Sequence, residues 1–170
     1  MPLAMSTPLH AASTAGEFEI KAAFLHSFPS FVDWPAEALP PGNGPIVVGL
    51  VGNDPFGGSL DDLIRGKAGE GRPIVVRRLA WNESHTGCHL LFISASELTH
   101  LTQILQSLGT ASVLTVADFD HFAARGGMIE LRMVDGHVRF DINAAAAGSA
   151  RLRLSAKLLG LARTVKESNP

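Results

Sequence analysis

Residues 126–143, GGMIELRMVDGHVRFDIN, constrain the fold more than any other part of this chain. Two runs, 128–134 and 137–143, alternate apolar and polar side chains on either side of Asp135 and Gly136. Asp-Gly between alternating runs specifies a two-residue hairpin, because both central residues of a type I′ turn need positive φ. Counting outward from the turn pairs Met133 with Val138, Leu131 with Phe140 and Ile129 with Ile142. Successive side chains point to opposite faces, so these six apolar groups share one face. Glu130, Arg132, His137, Arg139 and Asp141 share the other. There the directly opposite pairs carry like charge (Arg132 with Arg139, Glu130 with Asp141), while the diagonals Glu130–Arg139 and Arg132–Asp141 are complementary. The expectation is an antiparallel edge with a dry side and a charged side, the charges guarding against edge-to-edge pairing.

The rest of the chain supplies strands and helices in alternation. Ile20, Phe24, Phe28 and Phe31 recur at helical spacing, which predicts a helix over 17–31 that Pro29 kinks or ends. Apolar runs at 46–51, 74–79, 90–94 and 112–116 suit buried parallel strands. Helices are expected over 56–65, over 97–108 with Ser96 as its cap, over 118–124 with Asp118 as its cap, and over 155–165. Asn143 is placed to cap a short alanine-rich turn. Alternating strands and helices followed by a terminal hairpin predict one three-layer α/β domain over 17–165, its sheet largely parallel with helices on both faces. Residues 1–16 read as a disordered leader, an expression remnant or what is left of a removed signal, and 166–170 as a tail. The leader has neither the charged start nor the continuous apolar stretch of a signal peptide.

A formal net charge of −2 provides no basic field for a nucleic-acid backbone. No apolar run approaches the roughly 18 residues that would span a bilayer. Cys88 is the single cysteine, which excludes an intramolecular disulfide and a four-cysteine zinc site, and on that count alone favours the cytosol.

Four stretches invite a chemical reading, each beside a plainer one. The loop 52–58 after the first apolar run lacks the G-x-G-x-x-G and G-x-x-x-x-G-K-[ST] patterns. It reads first as a strand-to-helix turn and second as a small-ligand site at the carboxyl ends of the parallel strands. His85, Cys88 and His89 cluster as soft ligands without a fourth, so Cys88 reads as a small buried hydrophobe, with a redox-sensing thiol as the alternative. Asp118, Asp120 and His121 set carboxylates beside a histidine, yet capping explains them equally well and no nucleophile stands nearby. Trp34, before Pro35, leaves its helix at a loop where an indole walls a pocket or seeds an interface. No metal and no cofactor are expected.

Taken in order, IKAAFLHSFPSFVDWP, IVVGLVGNDPFGGSL, CHLLFIS, LTVADFDHFAARGGMIEL, VRFDIN and LRLSAKLLGLA resemble the YfiR/HmsC-like family at family-like spacing. The resemblance implies a non-enzymatic, dimeric, periplasmic regulator on an α/β sheet. Such a regulator represses an inner-membrane diguanylate cyclase by engaging its periplasmic sensor domain, which lowers cyclic di-GMP and biofilm or exopolysaccharide output. It implies partner or small-ligand contacts in the carboxyl-terminal half, here Glu130, Arg139 and Asn143, with Trp34 second. Cys88 matches a family cysteine, but this chain has no second cysteine to pair with it.

Overall fold

The computed structural model describes residues 9–166. In chain order it contains α1 (Leu9–Ser27), β1 (Val32–Asp33), β2 (Ile46–Val51), α2 (Ser59–Gly66), β3 (Ile74–Leu79), β4 (Leu90–Ile93) and α3 (Leu101–Leu108). There follow β5 (Leu114–Ala117), β6 (Ile129–Val134), β7 (His137–Asn143), α4 (Ala144–Ser149), β8 (Arg153–Leu154), α5 (Ala156–Leu161) and β9 (Thr164–Lys166). Seven strands form one sheet in the order β3-β2-β4-β5-β6-β7-β9, and β1 pairs with β8 in a separate two-stranded ribbon. Every pairing in the large sheet is parallel except β6 with β7. The α/β class, with a mostly parallel sheet and a carboxyl-terminal hairpin, is as expected.

Asp135 and Gly136 both have positive φ, 51° and 77°, as the tight turn demands. The register is the one counted from the sequence: Ile129 opposite Ile142, Leu131 opposite Phe140, Met133 opposite Val138. The apolar face of the hairpin packs against α1. Phe140 is 2% exposed and meets the rings of Phe24 and Phe28, each at 5.5 Å in edge-on geometry. The larger core extends from there beneath α2, α4 and α5 through Leu50, Phe92, Val116, Ala147 and Leu158. On the opposite face α3 lays Leu101 and Ile104 over Leu91 and Ile93, with Phe122 beside them. Gly127 lies so close to the Phe122 ring that a Cβ there would overlap it.

Several boundaries differ from expectation for identifiable reasons. The hairpin is not the edge, because the chain returns after α5 and lays β9 parallel to β7, with Val165 opposite Ile142. The expected helix over 155–165 therefore ends at Leu161, and Thr164-Val165, a β-branched pair, takes the extended form. Residues 118–124 form turns rather than a helix, and the Asp118 carboxylate binds Lys21 at 3.1 Å instead of capping. Ser94, not Ser96, caps the next segment: its hydroxyl accepts from Ser96 N at the start of a 3₁₀ turn (Ala95–His100) that leads into α3. Helix α1 begins at Leu9, inside the stretch read as leader, so only residues 1–8 of that stretch lie outside the described residues.

Truncating a fully packed aromatic ring removes burial and leaves a cavity. Phe140→Ala should therefore cost about 3–5 kcal/mol in urea unfolding. A loss under about 1 kcal/mol would mean that the α1–hairpin contact is not part of the core.

Candidate partner-binding face

One row of residues crosses the whole sheet on the α3 side: Leu79, Val51, Ile93, Ala117, Glu130, Asp141 and Thr164, each opposite the next. Beneath α3 the row is apolar. Beyond the reach of α3, over β6, β7 and β9, it becomes charged. Glu130 and Asp141 stand directly opposite, 3% and 8% exposed, a like-charged pair that must be neutralised to be buried.

Three cationic or polar groups supply that neutralisation. Arg132 Nη2 donates to Glu130 Oε1, and Arg132 Nε lies 3.2 Å from Asp141 Oδ2 as an ion pair without hydrogen-bond alignment. Arg163 grips Asp141 with both prongs, Nε to Oδ1 at 3.0 Å and Nη2 to Oδ2 at 2.8 Å. Thr164 Oγ1 donates to Asp141 Oδ1 at 2.8 Å. Burial alone would raise the Asp141 pKa; the hydrogen bonds from Arg163 and Thr164 outweigh it and hold the carboxyl below its ordinary value.

The loop after β5 locks onto the same network. Glu130 Oε2 accepts from Ala123 N at 2.9 Å, and Asn143 Nδ2 donates to Ala123 O at 2.8 Å. Asn143 Oδ1 also accepts from Ala146 N, capping α4 as expected. Glu130 and Asn143 are thus buried struts, while Arg139 and Arg163 are exposed, Arg132 is part-exposed, and Asp120 lies 3.7 Å from Arg132 at the rim. The accessible part of this face is a band of arginines, Arg132 and Arg163 set on buried carboxylates and Arg139 opposite Arg132, with Asp120 at its rim. Sequence reasoning missed Arg163 and Thr164 because the β-branched pair was absorbed into a helical stripe.

The chain matches the YfiR/HmsC-like family profile over residues 18–163. It belongs to that family. The family is one of periplasmic regulatory proteins, generally non-catalytic. No curated protein matches the chain. Among solved structures, a conserved domain protein from Vibrio cholerae O1 biovar El Tor superposes with a TM-score of 0.61 at 13% identity, over 88% of this chain and 60% of that one. An ABC domain from Streptococcus pneumoniae, solved in complex with L-Trp, superposes with a TM-score of 0.58 at 8% identity, over 87% of this chain and 60% of that one. This YfiR/HmsC-like chain thus spans about three-fifths of each neighbour, and at such identities the likeness is one of fold.

The remaining sequence candidates separate in space. Asp118 is held by Lys21, Asp120 reaches toward Arg132, and His121 is an exposed turn residue at φ 69°, so the three do not converge as an acid–base site. Among the described residues no three His, Cys, Asp or Glu side chains converge as a metal site. His89 is saturated: Nδ1 accepts from Val47 N at 2.9 Å, which leaves Nε2 to donate to Ala38 O at 3.0 Å. Cys88 is 4% exposed, and burial pushes its thiol up, more than Arg77 draws it down, which disfavours the reactive thiolate.

The start of the loop 52–58 is closed by its neighbours, whereas a Cβ at Gly57 would meet open space. Gly52, at φ 88°, lies against Ser96 and Glu97 so closely that any side chain would clash, and Asn53 N donates to Ser96 Oγ at 3.0 Å. The larger hollows lie instead at the amino ends of the strands. A cavity of about 640 Å³ opens by His85, Cys88 and Ser112, and one of about 460 Å³ beside Trp34. No helix among the described residues is long and apolar enough to cross a membrane.

A carboxylate with a depressed folded pKa stabilises above its unfolded pKa, near 3.9, and that contribution is lost as pH falls through the folded value. Wild-type stability should therefore decline with acidification below about pH 4, and Asp141→Asn should flatten this part of the curve while lowering stability at neutral pH. Parallel pH–stability curves for the two proteins would remove Asp141 from the network's balance.

Proposed function

We propose that this chain represses an inner-membrane diguanylate cyclase by binding the enzyme's periplasmic sensor domain. Repression lowers cyclic di-GMP and with it biofilm and exopolysaccharide output. The observation that carries this reading is the family match over residues 18–163, nearly the whole folded chain. The reaction stays in the partner: this protein contributes affinity, not catalysis, and acts in the periplasm as a homodimer.

The arginine band on β6, β7 and β9 is the proposed contact. Arg139 touches the partner, with Arg132 beside it, and the complementary surface is acidic. Glu130 and Asn143 contribute indirectly, by holding Arg132 and the 118–127 loop in place. Trp34 lies in a different cavity and serves a second reading of the protein, as a sensor of a small ligand.

Arg139 is exposed, so reversing its charge should change folding stability by no more than about 0.5 kcal/mol. Expressed in the periplasm beside a membrane diguanylate cyclase of the same organism, the wild type should lower cellular cyclic di-GMP, and Arg139→Glu should restore it. Repression that survives Arg139→Glu at equal protein level removes this face as the contact. A cyclase indifferent to the wild type removes the regulatory reading itself.

A further inference from the structure

The cavity beside Trp34 has a distinct composition. Its walls are Pro29, Val32, Trp34, Leu39, Ile46 and Ile74, so its interior is chiefly apolar. The indole is fixed: its Nε1–H donates to Pro29 O at 3.1 Å, and its ring stands edge-on to His89. Four polar side chains, His26, Lys67, Glu70 and Arg72, stand at one side and also line an adjoining hollow of about 260 Å³.

Arg72 is the decisive group. Its Nη1 donates to Pro40 O at 3.1 Å and Gly44 O at 3.0 Å, which pins the guanidinium to the loop before β2. Among the described residues no carboxylate pairs with it and no group accepts from its Nε or Nη2. Among the described residues Lys67 pairs only with Glu70, at 3.9 Å across an exposed turn. Two permanent cations therefore face one carboxylate. His26 adds a neutral donor or acceptor, since burial first and Lys67 second lower its pKa. In the 640 Å³ cavity several polar groups are spent on the protein (Glu37 pairs with Arg151, Ser112 donates to Ala150 O, and Ser84 pairs with Thr86), while His85 Nε2 is buried with no partner among the described residues, and no lining cation there lacks a carboxylate.

We propose that the cavity beside Trp34 binds a small planar organic anion, its apolar body against the indole and its oxyanion at Arg72 and Lys67. A volume of 460 Å³ falls within the range of small-molecule sites, roughly 300–1,000 Å³. A guanidinium with free donors suits a carboxylate in fixed orientation, and Trp34 supplies the flat apolar surface. The inference uses no residue of the arginine band and stands or falls apart from the partner reading.

The test titrates the full chain by calorimetry with 2-naphthoate and with its neutral analogue 2-naphthalenemethanol. The indole N–H resonances of Trp34 and Trp81 are followed in parallel. Wild-type protein should bind the acid about tenfold or more tightly than the alcohol, with the Trp34 resonance moving and that of Trp81 still. Arg72→Gln should abolish the preference for the acid, and Trp34→Ala should weaken both ligands. Equal affinities for acid and alcohol, binding unchanged by Arg72→Gln, or no binding of either compound overturns the proposal. Should Arg72→Gln fail to fold, the exposed Lys67→Gln decides the matter: it should weaken the acid and leave the alcohol unchanged, and an unchanged acid affinity overturns the assignment.

Discussion

The register of the β6–β7 hairpin is the constraint on which both halves of the molecule depend. A slip of one residue would turn Phe140 and Leu131 away from α1 and drive Glu130 and Asp141 into the phenylalanine core. In the observed register a single pair of strands closes the larger core on one face and carries the charged network on the other. The Asp135-Gly136 turn enforces it locally, and the aromatic contacts of Phe140 with Phe24 and Phe28 enforce it across the sheet.

The charged half is built on an unfavourable pairing made workable. Glu130 opposite Asp141 would repel if left alone, and burial would deepen the cost. Two arginines and a threonine reverse the balance, and the main chain at Ala123 takes Glu130's remaining acceptor. The network thereby joins the consecutive loop after β5, β6 and β7 to the start of β9, about twenty residues further along the chain. Carboxylates at the base orient Arg132 and Arg163, whose guanidinium groups stand toward the surface beside the exposed Asp120. In the proposed complex these arginines face an acidic partner surface, where charge complementarity governs encounter and orientation. Trp34 and Arg72 stand together at the amino ends of β2 and β3, where the apolar walls of a cavity meet positive charge.

Local patterns in the chain were sufficient for strands β2 to β7, the hairpin register, the Asn143 cap and the α/β class. Each is written in short-range periodicity or in a turn dipeptide whose φ angles few residues accept. The roles of the charged residues were not legible in the same way. Alternation placed Glu130 on the polar face, and a polar face of an edge hairpin should be wet; β9 and the 118–127 loop made it dry. Arg163 and Thr164 belong to the network only because the chain turns back after Leu161, a return that helical spacing concealed.

The sequence by itself thus determined which side chains share a face, because strand and helix periods are properties of the local backbone. Only the tertiary structure decided which face is covered and which cation answers which carboxylate. It also decided that the hollows beside Cys88 and Trp34 lie at the amino ends of the strands, while Ser96 and Glu97 close on Gly52 at the carboxyl end of β2. Those outcomes depend on contacts such as Lys21 with Asp118, Arg163 with Asp141 and Arg72 with the carbonyls of Pro40 and Gly44. The partners in such contacts are separated by tens of residues, and no local period relates them.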